Sequence, residues 1–245
     1  MRKTLLIAIH LVLVCSAMSQ DEDERWPRPK ASDYPTVAST SATCSGFAPS
    51  KWTQMALTTG DLNGDGRADC AAVFAGTDSR FLHKNDGFGS ETFDTNPRIL
   101  VIAFADNGGF RLVEQNNTFI ISAESPVMTE PFQEVTIEKG ILRFLFEEFY
   151  SAGSWGMANR KYAFRYQKGE MTLIGVDKTE TRRNTGDLEV RSYNLSTGQM
   201  TIETGHISDD GKGKVRRRAF RVRPLPTLKT VKPMLTWEIE KDVII

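Results

Sequence analysis

The chain has 245 residues, 40% hydrophobic and 25% charged, with Lys plus Arg and Asp plus Glu equal at 31 each. That composition has the apolar content of a globular domain and excludes collagen-like, low-complexity and disulfide-dense classes. An acidic excess before Trp155 and a basic excess over residues 156–232 offset one another, and two halves packed together account for this more simply than a polyanionic partner.

Residues 1–19 read as a secretory signal peptide. Arg2 and Lys3 form the positive n-region, Leu5 to Val14 a short apolar run, and Ala17-Met18-Ser19 the small-residue cleavage site. The run is too short for a transmembrane helix, and no later stretch is long and apolar enough for a transmembrane segment. The chain is therefore expected to be exported, periplasmic or extracellular, where nucleic acid is not a partner. A lipid anchor at Cys15 is the minor alternative, disfavoured because Val14 before it is not small. Residues 20–42, acidic and then rich in Pro, Ser, Thr and Ala, read as a disordered linker with too little apolar surface to offset its ordering.

Residues 43–232 read as a single β domain. Ser50 to Leu57 is the best short helix candidate. Strands are expected at Cys70–Phe74, at Arg98–Phe104 with a turn at Asp106-Asn107-Gly108-Gly109 leading to Phe110–Val113, and at Asn117–Ser122. Glu134–Glu138 and Ile141–Phe146 pair across Lys139-Gly140, and Lys161–Tyr166 returns as Met171–Gly175. Leu188–Asn194, Gln199–Glu203 and Val215–Val222 follow, the last an Arg-rich run expected to keep one solvated face. Residues 233–245 are a tail or an edge strand. Short strands at this spacing define a mainly β fold with few short helices, an antiparallel sandwich or a partial propeller-like array.

Asp61, Asn63 and Asp65 stand at positions 1, 3 and 5 of a turn, with Gly66 at 6, Arg67 offering its backbone carbonyl at 7, and Asp69 at 9. A hard cation needs six to eight oxygens, and alternate placement lets one loop surround it, so this turn is a candidate calcium site. Position 12, a glutamate in the EF-hand pattern, is Ala72. In an oxidising compartment Cys44 and Cys70 are expected to form one disulfide.

The run Ala56-Leu-Thr-Thr-Gly-Asp61-Leu-Asn-Gly-Asp-Gly-Arg-Ala-Asp69-Cys-Ala-Ala-Val-Phe74 resembles the FG-GAP or VCBS-type repeat, in which such a calcium loop joins two β-strands. That resemblance puts Asp61, Asn63, Asp65, the Arg67 carbonyl and Asp69 on the family's ligand positions and removes the need for a glutamate at position 12. One copy is present, which argues against a complete propeller. The stretch from Gly153 to Gly198 is similar to bacterial periplasmic proteins that carry one such loop.

Catalytic signals are weak. His83 and His206 lie in loop-like sequence and no Gly-x-Ser-x-Gly is present. Glu147 and Glu148 would point to opposite faces of a strand. Trp155, beside Phe149 and Tyr150, is expected to face the core; an exposed position would suit a sugar or a protein partner. The expectation is a calcium-stabilised β domain with a binding or structural role in the cell envelope, its partner an envelope protein or polysaccharide. A polysaccharide- or peptidoglycan-directed hydrolase and an inhibitor or immunity-type protein are the alternatives.

Overall fold

A computed structural model describes residues 26–209 and 213–245. The signal segment, Cys15 and the first part of the expected linker lie outside the described residues. The strands are β1 (Thr40–Ser41), β2 (Trp52–Gly60), β3 (Asp69–Gly76), β4 (Leu82–Lys84), β5 (Thr92–Asp94), β6 (Arg98–Asp106), β7 (Gly109–Asn116) and β8 (Phe132–Glu138). They continue as β9 (Ile141–Phe149), β10 (Gly156–Gln167), β11 (Glu170–Arg182), β12 (Asp187–Asn194), β13 (Gln199–His206), β14 (Lys214–Ala219), β15 (Glu238–Glu240) and β16 (Val243–Ile244). Two antiparallel sheets dominate: a five-stranded one in the order β1-β7-β6-β3-β2 and a seven-stranded one in which β8 to β14 follow one another as a meander. They pack about a shared core as a β sandwich, the first of the two architectures expected.

The five-stranded sheet is covered on both faces, which explains why its central strands read as unbroken apolar runs. Ala71, Val73, Leu100 and Ile102 face the seven-stranded sheet. Cys70, Ala72, Phe74, Ile99 and Val101 face the other way and meet Val37, Cys44 and Phe47. The expected disulfide is present, with Cys44 and Cys70 Cα atoms 6.2 Å apart, and it ties this outer cover to the centre of the sheet.

That cover corrects the linker reading. Residues 26–42 are packed on the sandwich: Trp26 is buried edge-on to Phe93, 5.3 Å between ring centres, and β1 pairs with β7. Gln115 of β7 accepts the Val37 N–H at 3.0 Å and donates to the Pro35 carbonyl at 2.8 Å. Sparse apolar residues suffice here because the sheet supplies the other wall and the polar pairing.

Two further expectations change. The stretch expected as a helix, Ser50 to Leu57, lies largely in β2, where tertiary pairing with β3 overrides local propensity. Asn117–Ser122 is a turn. The Asn116 Oδ1 accepts the N–H groups of Thr118 and Phe119, while its Nδ2 donates to the Leu228 carbonyl at 2.8 Å. The chain therefore leaves β7 abruptly and drops Phe119 into the core. Its ring stands edge-on to Phe144, Phe146, Tyr162 and Phe164, with centroids 5.0, 5.5, 5.3 and 5.4 Å away.

The expected hairpin turns are present, Asn107 and Gly108 adopting φ of 40° and 86°. At the corner where the sheets meet, the Thr58 hydroxyl accepts the Ile137 N–H, and a Cβ on Gly60 would lie 2.6 Å from Ile137 Cγ2. The last residues form their own hairpin, β15–β16, rather than an edge strand, with Met234 and Ile245 fully buried in the main core. The open edge of the meander is β14, exposed along its whole length on both faces rather than on one.

Candidate functional site

The Asp61–Asp69 turn joins β2 to β3 at the end of their hairpin, where Gly60 and Asp69 are register partners. Gly64 and Gly66 take φ of 83° and 81°, which folds the backbone N–H groups back onto the side chains. The two Asp61 oxygens accept from the N–H of Gly64 at 2.7 Å and of Gly66 at 2.9 Å. Asn63 Oδ1 accepts from Asp65, and Asp65 Oδ1 from Arg67. The Arg67 guanidinium pairs with Asp65 Oδ2 at 2.6 Å and holds that carboxyl below its usual range.

Asp69 behaves differently. It is fully buried, and its two oxygens accept the N–H of Leu62 at 2.9 Å and, across to β6, of Ala105 at 3.0 Å. Asp61, Asn63 and Asp65 are at the surface. The two Asp61 oxygens, Asn63 Oδ1 and Asp65 Oδ1 each accept one backbone N–H and keep a second lone pair that fits a hard cation, while Asp65 Oδ2 is taken up by Arg67 and Asn63. Asp69 fits a backbone clamp at the root of the turn. Among the described residues no three His, Cys, Asp or Glu side chains form a metal-ligating group.

A second site, which the linear sequence did not point to, lies on the inner face of the meander. Register places Phe146, Arg160, Lys178 and Arg191 in one row across β9 to β12, and Glu148, Ala158, Glu180 and Glu189 in the next. The inward face that is aromatic at Phe144 and Phe146 therefore becomes charged further along the same strands. Arg160 is 2% exposed; its Nη2 pairs with Glu148 at 2.7 Å, while Nε and Nη1 have no partner. Lys178 pairs with Glu180 at 2.8 Å, and Arg191 with Glu189 at 2.6 Å. Tyr193 donates to Glu240 at 2.7 Å, and Arg218 pairs with the same carboxylate, tying β15 to the meander.

Arg160, Glu148, Lys178 and Glu180 line a pocket of about 450 Å³ together with Glu124, Tyr150, Leu235 and Ile244. Burial pushes the Glu124 carboxyl up, and burial with the nearby Glu124 and Glu148 pushes the Tyr150 phenol up to about 12, so Tyr150 remains a proton donor. Arg183 braces the adjoining loop by donating to the Tyr150 carbonyl at 2.9 Å and stacking over Phe149. A larger hollow of about 960 Å³ lies beside Phe88 and Pro126; Arg98 at its wall pairs with Glu130 at 2.9 Å and leaves its Nε without a partner.

Of the other sequence candidates, Glu148 enters the pocket and Glu147 does not line it. Trp155, expected in the core, is 66% exposed between the pocket-lining Ser154 and Gly156. His83 bonds Thr95 and lies tilted against Trp26, ring centres 5.6 Å apart, and His206 bridges Thr185 and Ser208. Neither imidazole lines this pocket. No helix among the described residues is long and apolar enough to cross a membrane. No family model, curated protein or solved structure matches this chain.

Proposed function

We propose that this chain is an exported β-sandwich protein with a binding or envelope-structural role, and that its Asp61–Asp69 turn takes up calcium. The observation that carries the calcium reading is the alternation of Asp61, Asn63 and Asp65 oxygens along one exposed hairpin turn. These three side chains and the Arg67 carbonyl are the ligands. The ion supplies positive charge to the turn, and the chain's own part is to hold the oxygens in place through the Gly64, Asp65 and Gly66 N–H groups. Export is supported by the layout of Arg2 to Ser19 and by the Cys44–Cys70 disulfide, a bond that persists in oxidising compartments.

The test compares thermal melts of the mature chain in calcium and in chelator, with Asp61→Ala alongside. A calcium-dependent rise in Tm that Asp61→Ala abolishes supports the reading; equal melts in both media overturn it. The second reading, a polysaccharide- or peptidoglycan-directed hydrolase, is favoured by one observation. Glu124 and Glu148 line one pocket, an arrangement that acid–base cleavage of a glycosidic bond requires.

A further inference from the structure

We infer that the pocket walled by Glu124, Glu148, Arg160, Lys178 and Glu180 is a binding site for an uncharged saccharide. The inference rests on the binding role proposed above and not on the calcium turn, which lies at the end of a different sheet. At about 450 Å³ the pocket is within the range of small-molecule sites.

Its chemistry narrows the ligand. Register sets a row of cationic donors, Arg160 and Lys178, directly beside a row of carboxylate acceptors, Glu148 and Glu180. The Arg160–Glu148 and Lys178–Glu180 pairs leave donors and lone pairs over in both rows, and a hydroxyl, which both donates and accepts, meets both kinds at once, whereas a simple anion or cation meets one. Arg160 supplies the second observation. It is almost completely buried, yet its Nε and Nη1 lack an acceptor, a costly arrangement unless a bound group or water completes it.

Carboxylates outnumber cations around the pocket, Asp242 adding to the three glutamates, so an acidic sugar or phosphate is disfavoured. Tyr150, Leu235 and Ile244 offer ring and aliphatic surface to the C–H face of a sugar, and the Tyr150 hydroxyl keeps its proton. An uncharged molecule with many hydroxyls and an apolar face is a saccharide.

The experiment titrates the mature, disulfide-intact chain with neutral gluco- and chito-oligosaccharides and with an oligouronate of matched length, by calorimetry, in calcium and again in chelator. Binding of a neutral oligosaccharide, weakened roughly tenfold or more by Glu180→Gln and by Glu148→Gln, is the expected result, since each change removes a charged hydrogen-bond acceptor. The oligouronate should bind at least about tenfold more weakly. Glu180→Gln guards against a folding artefact, because Glu180 is part-exposed where Arg160 is buried. Cleavage of the neutral sugar that Glu148→Gln abolishes also supports the site. No binding at millimolar sugar, binding indifferent to both variants, or preference for the oligouronate overturns it. Sugar binding retained in chelator, together with melts that ignore calcium, would overturn the calcium reading alone.

Discussion

Asp69 reaches from the first position of β3 to the backbone N–H of Ala105 on β6, 3.0 Å away, while its other oxygen accepts the Leu62 N–H. One carboxylate thus joins the calcium-candidate turn to the neighbouring strand. Asp69→Ala removes acceptors from two N–H groups and should cost about 3 kcal/mol in calcium and in chelator alike. Asp65→Ala, whose partner Arg67 is at the surface, should change stability little in chelator and cancel any gain that calcium gives. Urea melts of both variants in the two media check this.

The outer cover hangs on the disulfide. Replacing Cys44 and Cys70 by Ser frees a loop with a sequence separation of 26 residues, for which chain entropy alone predicts a loss of about 3 kcal/mol. The loss should appear in urea melts, with proteolysis concentrated in residues 26–48, the segment that loses its tie to β3.

Phe119 is the plug of the main core. Phe119→Ala should destabilise the chain by about 3–5 kcal/mol, because four surrounding aromatic rings cannot all close on the void. Phe119→Leu should recover most of that loss. Denaturant midpoints compared at equal slope separate the two.

Glu114 gives the pH dependence its sign. It is buried on β7, Oε1 has no partner, and burial pushes its carboxyl up to about 7 from 4.5, with Lys229 opposing and Glu170 reinforcing the shift. The folded chain then holds a proton that the unfolded chain has released. Its contribution is complete below about pH 4.5 and is lost as pH rises towards 7, on the order of 3 kcal/mol in all. Glu114→Gln should flatten that slope and be more stable than the parent at pH 8. Urea melts from pH 4 to 8 on both proteins isolate this group.

The β class, most hairpin turns and the disulfide were legible because they rest on local signals. Apolar alternation is written within a strand, Asn107-Gly108 within a turn, and the two cysteines stand out by scarcity. Three features escaped. Trp52 to Gly60 is a strand through its pairing with β3, which no window of sequence contains. Asn117 to Ser122 has strand composition, but the Asn116 side chain turns it inward. Residues 26–42 lack the apolar content of a folded segment, yet dock because a sheet face awaits them.

The charged pocket was the least legible of all. Glu124 lies in the loop before β8 and Glu148 near the end of β9, and Arg160, Lys178 and Glu180 come from two further strands. What brings them together is register across β9, β10 and β11, a property of pairs of strands. The Asp61–Asp69 turn shows the opposite limit. Its spacing is plain in one line of sequence, while the burial of Asp69 beneath Ala105 is a tertiary fact.

The unprotected border of the meander has a consequence for how copies of this chain meet. β14 leaves a row of peptide groups unpaired, a template for another molecule's strand. Arg216, Arg217 and Arg218 run exposed along that border, Arg218 half-covered in its pair with Glu240, so two identical borders approaching one another must crowd like charges together. The same residues that leave this strand without a covering layer thus act as gatekeepers against edge-to-edge association.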